Sequence, residues 1–235
     1  MMKRLSKALA AAGVASRRGA EKLIFLRKVK VNGKVVVKPQ SLVSFSTDEI
    51  EVDEKRIGGE EKKVCYLLNK PKGYLCTNVR PGKGKIVIDL FDDTCRLFTV
   101  GRLDKDTTGL LLVTNDGLLV QKIIHPSADI EKEYVAKANV EIKIDHLKKL
   151  SLGANIEGRW IQPVRVSKVR GNTFKIIVKE GKKHEVRILA EKAGLKLLTL
   201  KRIRIGTLTL GRLPIGAYRI LKSKEIEKFL NAPFP

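Results

Sequence analysis

The sequence predicts an α+β protein in two parts. A small basic helix-and-hairpin segment comes first, and a larger region with a mostly antiparallel sheet flanked by helices follows. Three observations predict this. The first 46 residues carry eleven Lys and Arg against a single acid, Glu21. A charged stretch from Glu51 to Lys63, with Gly58-Gly59 inside it, suits a flexible linker. From Val64 onward many short apolar runs alternate with turn residues and only three helical patterns, so strands outnumber helices. We therefore divide the chain into residues 1–60, linker included, and residues 61–235.

In order, Leu5, Ala8, Leu9 and Ala12 fall at helical spacing. Ser16 can cap a second helix whose apolar face is Ala20, Leu23 and Ile24. Val29 and Val31 precede Asn32-Gly33, and Val35 to Val37 follow it, a strong signal for a two-residue hairpin turn. Beyond the linker, strands are expected over 64–68, 97–100, 109–114, 164–169, 174–178 and 197–205, with helices near 117–124, 145–151 and 184–193. The last helix is the clearest: Val186, Leu189, Ala190 and Ala193 recur at i, i+3, i+4 and i+7, and Gly194 stops it.

Charge and composition narrow the function. Lys+Arg is 48 and Asp+Glu is 25, a formal net charge of +23. Such a field repels itself, and a polyanion relieves it by releasing condensed counterions. Nucleic acid fits better than a membrane surface or an acidic protein, and no run approaches the roughly 18 apolar residues of a membrane span. Cys65, Cys76 and Cys95 are odd in number with no C-x-x-C pair, and His125, His146 and His184 are scattered. Neither a disulfide scaffold nor a metal site is expected. Lys7 interrupts the Ala-rich stretch after the basic start and Arg17-Arg18 close it, so an export signal is not expected and a cytoplasmic location is.

The segment that can carry chemistry is Gly101 to Thr108, a polar loop between two apolar strands. On residue types alone it reads first as a surface turn, because Asp and Thr are turn residues and Asp104 stands beside Arg102 and Lys105. Gly82-Lys83-Gly84-Lys85 is too short for a phosphate loop and lacks the following Ser or Thr.

Resemblance to known families changes that reading. Arg4 to Ala10, Ala15-Ser16-Arg17-Arg18 and Val29 to Lys34 resemble the small ribosomal-protein-S-four-type RNA-binding domain. The resemblance implies RNA contacts from Arg4, Lys7, Arg17, Arg18, Lys22, Lys30 and Lys34. Gly101-Arg102-Leu103-Asp104, Thr107, Gly109 to Leu112 and Asn115-Asp116-Gly117 resemble the pseudouridine synthases, in particular the branch that modifies ribosomal RNA. Leu68 to Gly73, Lys132-Glu133-Tyr134, Glu180 to Arg187, Arg202, Ile205-Gly206 and Leu210 match further motifs of that branch, so the likeness covers nearly the whole chain. One departure is Ile188, at a position commonly basic in the branch, which puts one RNA contact in doubt.

The resemblance implies the pseudouridine synthase fold and isomerisation of one uridine in ribosomal RNA, with no cofactor and no metal. It implies that Asp104 is the reacting carboxylate, as nucleophile or as base. Base flipping needs a group to fill the gap and one to receive the base. Arg102 is expected for the first and Tyr134 for the second, although Tyr134 also reads as an ordinary strand aromatic. Arg187 is expected to pair with Asp104, the other reading being a phosphate contact. Lys182 and His184 are expected at the substrate, and Leu198 as an apolar wall unless it is simply core. The expected partner is ribosomal RNA or a pre-ribosomal particle, of the large subunit by preference, bound by a monomer. The rival reading is a non-catalytic RNA-binding or ribosome-assembly factor on the same two domains.

Overall fold

In the computed structural model the described residues are 2–92, 94–125 and 128–232. The chain forms two compact units, one of Met1–Val64, Asp92–Leu97 and Asn115–Gly117, the other of Cys65–Phe91, Phe98–Thr114 and Leu118–Pro235.

In the first unit β1 (Lys3–Arg4) leads into α1 (Leu5–Ala11) and α2 (Arg17–Phe25). Ser16 caps α2 as its composition predicts, its Oγ accepting from Gly19 N at 2.9 Å. The strands are β2 (Val29–Val31), β3 (Lys34–Val35), β4 (Leu42–Val43), β5 (Ile50–Val52) and β6 (Lys55–Arg56). The sheet order is β3-β2-β5-β6, with β1 paired to β4. Asn32 and Gly33 both take positive φ, 52° and 75°, as a primed hairpin turn requires. Leu5, Leu9, Ala20, Ile24, Val29 and Ile50 form the core. The expected linker begins later than its composition suggests: Glu51 and Val52 pair with Arg56 and Lys55, and Val52 is buried, so this part is sheet. Charged residues can edge a sheet when alternate positions reach the core.

The second unit contains β7 (Cys65–Lys70), β8 (Phe98–Val100), β9 (Thr108–Thr114), α3 (Gly117–Ile124), β10 (Lys132–Ala138), α4 (Ile144–Leu152), β11 (Ala154–Ile156), β12 (Arg159–Ile161), β13 (Arg165–Arg170), β14 (Thr173–Val178), α5 (Glu185–Lys192), β15 (Leu197–Ile205), β16 (Leu208–Thr209), β17 (Tyr218–Ile220) and α6 (Ser223–Asn231). The main path runs β13-β14-β10-β15-β9-β7-β17, with β16 beside β15 and β8 beside β9. Of these described pairings only β15 with β9 is parallel, so the sheet is mixed and mostly antiparallel, as expected. Every residue of β7 is buried, which explains its unbroken apolar text up to Asn69-Lys70. Leu67, Leu110, Leu112, Leu119 and Phe229 share one core. That core holds α6, which the sequence reading does not anticipate because its apolar residues are spread through a lysine-rich tail.

The parallel junction matters most for function. At Gly109 a Cβ would stand 2.1 Å from the Arg202 carbonyl oxygen, and the φ of +103° is one that L side chains rarely adopt. Glycine lets β9 lie against β15 here, directly after the polar loop.

Candidate active site

The loop between β8 and β9 is held from beneath by a lysine. Lys70 ends β7 with its side chain fully buried. Its Nζ donates to the carbonyl oxygens of Pro71 at 3.1 Å, Asp104 at 3.1 Å, Lys105 at 3.4 Å and Thr107 at 3.0 Å. Thr107 N donates to Asp104 O at 3.0 Å, and Gly73 N donates to Lys105 O at 2.8 Å. Cys76 Sγ lies 3.4 Å from both the amide nitrogen and the carbonyl oxygen of Leu103. Burial pushes the Lys70 ammonium below its ordinary range, against the opposing pull of Cys76, Asp104 and Asp106. A cation satisfied wholly by main-chain oxygens fixes the backbone and leaves the Asp104 carboxylate free for other partners.

That carboxylate borders a cleft of about 620 Å³ whose lining also includes Arg102, Thr107, Lys132, Tyr134, Arg159, Lys182, His184, Glu185, Leu200 and Arg202. Tyr134 lies on β10 opposite Arg202 on β15. The buried guanidinium of Arg202 donates from Nε to Leu110 O at 2.8 Å and from Nη1 to the Tyr134 hydroxyl at 3.4 Å. Its carbon is 6.0 Å from the Tyr134 ring centroid, within cation–π range.

The opposite border is built by the turn before α5. Lys132 Nζ donates to the carbonyl oxygens of Ile130 at 3.1 Å, Lys179 at 2.5 Å and Glu180 at 3.0 Å. Burial, with Arg202 nearby, lowers its pKa to about 8. Glu185 accepts from Lys182 N at 2.9 Å, and burial raises its carboxyl. His184 takes a left-handed backbone, φ 56°, costly for a non-glycine residue and a mark of functional turns. There its Nε2 lies 3.3 Å from Asp104 Oδ1.

Asp104, Tyr134, Arg102, Lys182 and His184 thus come together as expected. Two residues do not. Arg187 does not line the cleft, and among the described residues no ion pair within 4.0 Å joins it to Asp104. Its Nη2 instead donates to Thr107 Oγ1 at 3.5 Å, so it touches the same loop one turn further on. Leu198 is 55% exposed and stands outside the cleft; Leu200, two residues along β15, takes the wall position. Strand alternation alone would put both leucines on one face, but a register shift opposite Lys137 and Ala138 leaves Leu198 as an extra, unpaired residue and breaks the alternation. In the first unit Arg4, Lys7, Arg17, Arg18, Lys22 and Lys34 are exposed, as a polyanion contact requires. Lys30 is half-buried, with its ammonium 3.8 Å from Glu54. Sequence reasoning gave no role to Lys70, Lys132 or Glu185. The available signal was a charged residue at the end or start of an otherwise apolar strand or helix face.

Known proteins place this arrangement. The family description RNA pseudouridylate synthase matches residues 64–192, and the S4 domain matches residues 3–50. A putative chloroplastic ribosomal large subunit pseudouridine synthase, SVR1, of Arabidopsis thaliana is 43% identical over 95% of this chain. The chain spans 60% of that protein's length. Ribosomal large subunit pseudouridine synthase B of Bacillus subtilis is 38% identical over 97% of this chain and 95% of its own. A crystal structure of a pseudouridylate synthase superposes with a TM-score of 0.69 at 30% identity, covering 96% of this chain and 99% of that one. The fold is that of an RNA-modifying isomerase. The chain belongs to the RNA pseudouridylate synthase family and carries an N-terminal S4 domain.

Proposed function

We propose that this protein converts one uridine of large-subunit ribosomal RNA to pseudouridine, with the target base turned out of its helix into the Asp104 cleft. The observation that carries the reading is that the Asp104 carboxylate, on a loop whose backbone Lys70 holds, shares one cleft with the Tyr134 ring of β10. The reaction breaks the bond from uracil N1 to ribose C1′ and forms one from C5 to C1′. The C5 proton leaves and N1 gains one, so substrate and product are isomers and electrons balance within the nucleoside.

Asp104 supplies the negative charge at the sugar, as nucleophile or base. Tyr134 offers a ring face for stacking and a hydroxyl within hydrogen-bond range of a buried guanidinium, suited to carry a proton near the base. Arg102, exposed beside Asp104, fills the space that the flipped base vacates. The large-subunit preference is supported by the two relatives described as large-subunit enzymes. The test is a map of pseudouridines in ribosomal RNA from cells with and without this protein. One large-subunit position lost with the protein and restored by it supports the reading. Identical maps contradict it and favour a binding factor.

A further inference from the structure

Trp160 is the single tryptophan of the chain, and it is 65% exposed. It is not loosely held. Its indole Nε1 donates to Leu152 O at 3.2 Å, which fixes the ring at the C-terminal end of α4. The hairpin that carries it is rigid. Asn155 pairs with Trp160, and Asn155 Oδ1 accepts from Gly158 N at 3.0 Å across the turn. At Gly153, where the hairpin begins, a Cβ would stand 2.2 Å from Ile161 O. Ala154, Ile156 and Ile161 are buried beneath, so the hairpin is anchored while the indole stays outside. Leu152, exposed at that end of α4, extends the apolar surface.

Strand alternation puts Trp160 and Arg159 on opposite faces of the hairpin, and it is the Arg159 face that is turned to the cleft. Arg159, the residue before Trp160, lines it, and Lys182 of the cleft turn lies 4.0 Å from Glu157 at the hairpin tip. Lys148 and Lys149 of α4 are exposed as well. A fixed aromatic face among cations complements a strand that offers a flat base and an anion at every nucleotide. An apolar protein surface would leave the cations unanswered.

We propose that the β11–β12 hairpin is an RNA-docking arm that meets the strand on both faces: Arg159 takes a phosphate at the cleft, and the Trp160 indole on the opposite face stacks on an unpaired base further along the same RNA. This rests on the reading of the cleft as the uridine site. The emission of the only tryptophan reports the contact directly in the full-length protein. Titration with large-subunit ribosomal RNA transcribed in vitro should quench it saturably. Trp160→Ala should weaken RNA binding roughly 5- to 150-fold, the range for a lost base–aromatic stack, and Trp160→Phe should recover most of the affinity. Emission unchanged at saturating RNA, with unchanged affinity of the Ala variant, overturns the arm and assigns the patch to a protein contact. A wild-type protein that forms no pseudouridine in this RNA contradicts the reading of the cleft instead. One that forms it with unchanged emission contradicts only the arm.

Discussion

A buried lysine and a half-buried one do different work at the residue scale. Lys70 has given up water for four carbonyl oxygens of the Asp104 loop and its flank, so its removal leaves those acceptors unsatisfied. Lys70→Met should lower unfolding free energy by roughly 1–3 kcal/mol, the scale for leaving buried acceptors unsatisfied, measured by urea denaturation. Lys132, whose partners are the carbonyls of Ile130, Lys179 and Glu180, has its pKa lowered to about 8. Between pH 8 and the ordinary lysine value the unfolded chain binds more protons at this residue than the native one does. Stability from this group therefore rises with pH through that window, and the cost of the buried charge is fully present below it. The melting-temperature gap between wild type and Lys132→Met should widen in favour of wild type from pH 8 to 10. A gap that does not change with pH would show that Lys132 titrates normally.

At the scale of elements, the site depends on how closely β9 approaches β15. Gly109→Ala places a methyl against backbone at a strained φ, with no flexible side chain to give way. The strands must separate, which shifts Arg202 away from Tyr134 and loosens the start of β9 below the loop. The variant should melt at least several degrees lower and lose turnover by more than its melting alone explains, both read at a temperature where it stays folded. This junction also shows what was legible in the sequence. The Ser16 cap, the Asn32-Gly33 turn and the periodicity of the 184–193 segment are local signals, and the elements appear there. The parallel pairing of β9 with β15 joins segments some ninety residues apart, and no local pattern encodes it. For the same reason the motifs located Asp104, Tyr134 and His184 but not their partners. Which side chain faces Asp104 depends on the left-handed turn at His184, and which leucine forms the wall depends on the bulge in β15 at Leu198.

Across the whole molecule, a net charge of +23 is distributed so that the S4 domain exposes many bases while the β8–β9 loop presents a carboxylate. The S4 bases should act through phosphates, and phosphate contacts set the salt dependence of binding. Neutralising Arg17, Arg18 and Lys22 together as glutamines should lower the slope of log affinity against log salt by about 2, at roughly 0.7 per single-strand contact. Turnover at saturating RNA should stay near wild type, and an unchanged slope would remove these three residues from the interface. The central claim is that the Asp104 carboxylate, held by its loop in the cleft, performs the chemistry. It is tested most directly by single-turnover pseudouridine formation with Asp104→Asn on large-subunit ribosomal RNA, alongside binding of the same RNA. The account predicts no detectable product from the variant, with RNA affinity within a few fold of wild type. Product formed by the Asn variant, shown by mass spectrometry to be free of deamidation, would contradict it.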